Sequence, residues 1–112
     1  MCIKNKTQGT IVADRVRLAD TFWQRLKGLL GTRILPLGHG LIIKPCNSVH
    51  TFGMDYPIDV LFVDGDHCII KIVDNMLPGK VSMATRSKYV VELPAGTGHR
   101  TACCVGDRLE FQ

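Results

Sequence analysis

The stretch Ile58-Asp59-Val60-Leu61-Phe62-Val63, followed directly by Asp64-Gly65-Asp66, decides the fold. It is apolar on both faces of a period-2 pattern except at Asp59. It therefore predicts a central strand covered on both sides rather than a strand with one wet face. Asp64-Gly65-Asp66 is a hairpin signal, so the chain is expected to return as a neighbouring strand from Cys68 to about Val73. On the other side, Gly53-Met54-Asp55-Tyr56-Pro57 is a loop with Gly and Pro at its ends, and Ser48 to Phe52 is a further candidate strand.

Further out, Leu41–Ile43 is a short apolar strand between Gly38-Gly40 and Pro45. Tyr89 to Leu93 is a strand ended by Pro94, and Gly106-Asp107 leads into a last strand from Arg108 to Phe111. Gly96 to Cys104 has room for a short helical turn. Toward the N-terminus, Thr10 to Arg17 alternates as one partly exposed strand. The main helix is expected from about Thr21 to Leu30. Phe22, Leu26, Leu29 and Leu30 recur at helical spacing and form one apolar stripe. Thr21 with Gln24 makes a capping box, and Gly31 stands where a left-handed C-terminal cap would fall. If the stripe packs on the sheet, Leu26→Ala should cost roughly 2–5 kcal/mol. Trp23 lies off this stripe, at the rim of the sheet or open to a partner. The expected architecture is α+β and β-rich: a curled, mostly antiparallel sheet or partly open barrel of six to seven short strands with one main helix, in a single domain over residues 1–112.

Composition excludes several classes. A chain of 112 residues with 46% hydrophobic and 21% charged residues is one ordinary globular domain. It can bury roughly two-thirds of its unfolded surface around one core. No apolar run approaches the ~20 residues of a membrane helix, and Met1 to Thr10 has no apolar stretch of the secretory type. A cytoplasmic protein without membrane association is expected. The net charge of +4 sits in the N-terminal half, where residues 1–50 carry eight Lys or Arg against two Asp. These basic residues are scattered singly, without an RNA-binding signature or a helix-turn-helix spacing. A solvated surface is the simpler reading, and nucleic acid is not an expected partner.

Four segments in order carry a resemblance. They are Arg25-Leu26-Lys27-Gly28-Leu29-Leu30; then His50-Thr51-Phe52-Gly53-Met54 with Pro57-Ile58-Asp59-Val60-Leu61-Phe62; then Leu93-Pro94-Ala95-Gly96; and finally Gly106-Asp107. From about Ala19 to Leu109 the chain resembles domain-of-unknown-function family 192, a group of small prokaryotic domains, in a branch with a His-Thr-Phe-Gly-Met pattern where others read Trp-Met-Lys-Asn-Thr. The resemblance implies a compact β-rich domain without an established activity.

The chemistry-bearing residues gather around His50 and Asp59. An acid inside an apolar strand must be paired or hydrogen-bonded. If Ser48–Phe52 folds back on Ile58–Val63 about the Met54-Asp55 loop, His50 lies opposite Asp59. Asp59 then either orients the imidazole, as a triad acid would, or caps amides of its own loop. Cys46 is a possible thiol nucleophile for His50, but four residues of extended strand span ~13 Å, so the pair meets only across a sharp turn at Pro45 to Ser48. The candidate pocket comprises His50, Asp59, Cys46, Thr51 and Met54. The four histidines are dispersed and no Cys-x-x-Cys or His-x-His spacing occurs, so neither a metal nor a cofactor is expected. The glycine turns at Leu37–Gly40 and Ala95–Gly98 match no phosphate-binding fingerprint.

The functional expectation is a non-catalytic module that binds a small ligand or a protein partner. The alternative is a small hydrolase-like or thiol-dependent enzyme centred on His50, Asp59 and Cys46, although no complete catalytic signature is present. A second alternative is a weak anion or nucleic-acid binder acting through the basic N-terminal half. The five cysteines are odd in number, and the one close pair, Cys103-Cys104, is adjacent, a poor geometry for a bridge. All five are therefore expected to be free. Thiol titration of denatured, unreduced protein should count five, and a lower count in fresh material would contradict this.

Overall fold

The computed structural model describes all residues, 1–112. Ten strands and two short helices follow in order: β1 (Ile3–Asn5), β2 (Thr10–Ala13), β3 (Arg15–Ala19), α1 (Phe22–Lys27), β4 (His39–Ile43), β5 (Ser48–His50), β6 (Ile58–Val63), β7 (Ile69–Met76), β8 (Val81–Met83), β9 (Tyr89–Pro94), α2 (Thr97–Arg100) and β10 (Leu109–Phe111). The β-rich α+β class is as expected. The strands form a five-stranded sheet in the order β3-β4-β9-β6-β7, a three-stranded sheet β10-β1-β2 and a two-stranded ribbon β5-β8. All pairings are antiparallel except β3 with β4, which the chain connects through α1. No barrel closes.

The Ile58–Val63 stretch is central, and all six of its residues are buried. It pairs with β7 on one side and β9 on the other. Its alternation divides the hydrophobic interior in two. Leu61 and Val63 point, with Tyr89, Val91 and Leu93 of β9 and Ile42 of β4, toward the three-stranded sheet, where Ile3, Val12 and Leu109 meet them. Ile58, Val60 and Phe62 point the other way, with Leu41, Ile43 and Val90, and are covered by Leu29, Val49, Met54 and Met76. A strand between two such layers has no solvent face, which is why its sequence reads as one apolar run.

Several expectations are corrected. Ten strands form rather than six or seven, because Ile3–Asn5 and Val81–Met83 are three-residue strands too short to show a period. Thr10 to Arg17 is two strands in different sheets, broken at Asp14. The ribbon partner of β5 is β8, with His50 opposite Val81, while Asp59 on β6 lies opposite Leu93. Ser48–Phe52 does not fold back on Ile58–Val63. The cause is visible in Thr51, whose buried hydroxyl donates to the Leu77 carbonyl (2.6 Å) and accepts from the Lys80 amide (2.9 Å). It ties the end of β5 to the turn before β8.

The helix is real but shorter and differently seated. Its capping box is present: the Gln24 amide donates to the Thr21 hydroxyl (3.2 Å), and the Gln24 side chain accepts from the Thr21 amide (3.3 Å). It ends at Gly28 rather than near Gly31, in a conformation (φ 51°, ψ −125°) that favours glycine. The turns that follow redirect the stripe. Leu29 is 3% exposed and lies in the core, but Phe22 and Leu26 are 62% and 57% exposed, and Trp23 stands edge-on to Phe22 with ring centroids 5.2 Å apart.

The large expected cost of Leu26→Ala is therefore withdrawn and transferred to Leu29. Leu29→Ala should destabilise by roughly 2–5 kcal/mol and Leu26→Ala by less than about 1 kcal/mol in urea unfolding, because only the first leaves a cavity. Equal costs would show that α1 sits on the sheet differently.

Candidate functional site

Beyond β4 the chain turns at Pro45 and runs through Cys46 into β5. Across from this connection lies the end of α1. Between them opens a cavity of about 360 Å³, within the roughly 300–1,000 Å³ typical of small-molecule sites. Leu29, Leu30, Ile43, Val49 and Met54 supply apolar walls. Phe22 and Leu26 line it from α1, with Arg25 and Lys27 beside them. Cys46, Asn47, Ser48 and His50 line the opposite side.

Glu92 also lines this cavity, and sequence reasoning missed it. It is the fourth residue of β9 and faces the same layer as Val90. Its cross-strand neighbours are Leu41 on β4 and Val60 on β6, so neither flanking strand offers a polar partner. The residue is 3% exposed, and its Oε1 is buried with no hydrogen-bond partner. Gly28 passes close above it: a Cβ there would lie 3.7 Å from Oε1 and 3.8 Å from Ile43 Cδ1. Burial pushes the Glu92 carboxyl up to about 7. The signal that could have found it is the one that marked Asp59, an acid inside an apolar strand, here Tyr89-Val90-Val91-Glu92-Leu93.

Of the five candidate residues, Cys46, His50 and Met54 line the cavity, and Thr51 and Asp59 do not. Asp59 is fully buried, and its carboxylate accepts from the Asn75 amide (2.8 Å) and the Gly98 amide (2.9 Å). It caps amides, as one reading allowed, but those of β7 and α2 rather than of its own loop. The expected His50–Asp59 pair is not made. His50 is exposed and stacks on Phe52, with ring centroids 5.6 Å apart. The Cys46 thiol donates to the Ser48 carbonyl (3.2 Å) and not to His50. Burial raises the Cys46 thiol above its ordinary value, with the Ser48 bond opposing. That direction is opposite to what a thiolate nucleophile needs. No three His, Cys, Asp or Glu side chains converge as metal ligands, and no disulfide forms.

The comparisons with known proteins agree on the fold. The family DUF192, "Uncharacterized ACR", matches residues 3–111. A UPF0127 protein of Thermococcus sibiricus is 30% identical over 96% of this chain and 73% of its own length. Another, from Pyrococcus furiosus, is 31% identical over 96% of this chain and 95% of its own length. Among solved structures, a protein of unknown function from Novosphingobium aromaticivorans superposes with a TM-score of 0.85 at 24% identity, covering 98% of this chain and 82% of that one. A "putative transcription regulator" of Sinorhizobium meliloti superposes at 0.83 with 29% identity, over 97% and 89% of the two chains.

An unpartnered buried acid has a measurable cost. The Glu92 carboxyl holds its proton up to about 7 in the folded state, against 4.5 as the ordinary value. Below the lower value both folded and unfolded chains are protonated, and there is no penalty. Between the two the unfolded chain releases its proton first, so stability falls as pH rises, by about 3 kcal/mol in all. Glu92→Gln should remove this fall: urea unfolding of wild type near pH 4.5 and near pH 7.5 should differ by about 3 kcal/mol more than in the variant. An unchanged pH profile would show that Glu92 is solvated or paired.

Proposed function

From its membership of DUF192, to which this chain belongs and whose description names no activity, we propose a function from the cavity itself: a non-catalytic module that binds a small, largely apolar ligand between α1 and the β4–β5 connection. The observation that carries this reading is Glu92, a buried carboxyl with no partner in the protein, set against the apolar wall of Leu29, Ile43, Val49 and Met54 in a concave site. Buried polar atoms in folded domains are satisfied as a rule, and an exception marks either strain or a missing partner. Leu or Met at this position would pack between Leu41 and Val60 without the desolvation cost. Retaining an acid there sacrifices stability, as binding sites commonly do.

A thiol-dependent enzyme draws less support. Cys46 and His50 share the cavity wall, but the thiol is bonded to a carbonyl and its proton is held by burial. The basic residues of the N-terminal half are dispersed over β1, β3, α1 and the intervening loops, and we read them as surface rather than as a nucleic-acid face. The five free thiols favour a reducing compartment, which fits the cytoplasm. No helix is long and apolar enough to cross a membrane.

The test is a ¹H–¹⁵N NMR screen of the whole chain against small apolar molecules that carry one polar group. Binding should displace the amide signals of Gly28, Leu30, Val49, Met54 and Glu92 together. Displacements confined to β2 or β10, remote from the cavity, would refute the reading.

A further inference from the structure

The chemistry of the cavity is specific enough to name the ligand's polar group. Resting on the reading of the cavity as a ligand site, we propose that it takes a primary ammonium carried on an apolar stem, with the Glu92 carboxylate as its counter-ion and the walls formed by Leu29, Ile43, Val49 and Met54 as the stem's surroundings.

Three observations converge on this class. First, Glu92 is buried and lines the cavity, and its Oε1 lacks a partner. An ionised carboxylate only accepts, so its complement is a donor, and an ammonium supplies three. A charge-assisted hydrogen bond of this kind is about twice as strong as a neutral one. Second, two residues lining the cavity, Arg25 and Leu26, have main-chain carbonyls to which no backbone amide donates, because the helix ends at Gly28. A helix C-terminus favours positive charge for the same reason. Third, the walls around Glu92 are apolar, which suits an alkyl stem and makes an unpaired carboxylate costly until a cation arrives.

The other charged and titratable groups around the cavity do not fill that role. Arg25 directs its guanidinium to the Thr21 and Pro45 carbonyls, both at 3.4 Å. Lys27 is exposed, and solvent screens its repulsion of an incoming cation. His50 stacks on Phe52, and Cys46 is bonded to Ser48. A ligand anion would be repelled by the Glu92 carboxylate once that group is ionised.

Ammonium binding is coupled to proton release. The free Glu92 carboxyl titrates at about 7, whereas the salt-bridged form must be ionised. One proton leaves Glu92 on binding at low pH, so affinity should weaken about tenfold for each unit below this value and level off above it. An alkylammonium keeps its charge up to about pH 10, so the dependence belongs to the protein.

The experiment titrates the whole chain with n-hexylamine hydrochloride, 1-hexanol and sodium hexanoate, near pH 6 and pH 8, by calorimetry and NMR. At the higher pH hexylammonium should bind at least about tenfold more tightly than hexanol, and hexanoate most weakly. At the lower pH the advantage over hexanol should shrink about tenfold. In Glu92→Gln the amine should bind no better than the alcohol, with no pH dependence, while hexanol binding persists. If wild type binds the amine and the alcohol equally, the ammonium assignment falls and the ligand cavity stands. If none of the three moves the amides around the cavity, both fall. Should Glu92→Gln fail to fold, the wild-type ratio of amine to alcohol across pH decides the matter alone.

Discussion

A strand buried on both faces has no side on which to place a charge. This constraint governs β6 and β9, which lie side by side in the middle of the five-stranded sheet. Because successive side chains alternate, every residue of either strand must join one of two apolar layers. Each strand nevertheless carries one acid, and the fold treats the two in opposite ways. Asp59 lies near the start of β6, where the Asn75 and Gly98 amides come within reach, and both its oxygens are used. Glu92 has Leu41 and Val60 as neighbours, and its Oε1 is left empty-handed. Position along the strand separates an acid that holds the fold together from one that the fold tolerates.

The covering of the second layer follows from the same constraint. The first layer is closed by the three-stranded sheet, an extended surface that fits another sheet face. The second is closed by smaller pieces: the segment after α1 with Leu29, the β5 strand with Val49, and the following loop with Met54. Separate pieces leave gaps where they meet, and the cavity occupies such a gap. The same geometry accounts for the exposure of Phe22 and Leu26, which lie on the cavity's open side rather than against the sheet.

Legibility in the sequence follows contact range. The central strand, its return partner, Leu41–Ile43, Tyr89–Leu93 and the last strand were readable because burial writes an apolar run into each. The capping box was readable because it spans three residues. Long-range pairing was not. The Ser48–Phe52 segment pairs with a strand beginning at Val81, and nothing local announces it, since Thr51 makes its decisive bonds to Leu77 and Lys80. The supposed His50–Asp59 pair failed with that register. The helix stripe failed at Gly28, where a positive φ turns Leu29 inward and leaves Leu26 behind. In the candidate site, Cys46, His50 and Met54 were legible as chemistry near a turn. Glu92 was legible as an acid in an apolar strand but not as an unpartnered one, because the lack of a partner is a property of β4 and β6, not of its own neighbourhood.

The three-stranded sheet has a consequence for biosynthesis. Its strands β1 and β10 come from opposite ends of the described chain, with Ile3 opposite Phe111. Beside them the Asp107 carboxylate accepts from the Asn5 side chain (2.9 Å) across a separation of 102 residues, and also from Gln8 and the Cys104 amide. A ribosome releases β1 first and β10 last, so the layer that covers Leu61, Val91 and Leu93 is assembled only after nearly all the intervening chain has emerged. Until then the nascent five-stranded sheet shows one apolar face to its surroundings, the condition under which chains associate wrongly or recruit chaperones. Closing so long a loop also makes this step slow relative to the local hairpin β6–β7. Translation speed over the codons between β9 and β10, rather than over those for the early strands, would then set how long that face stays bare.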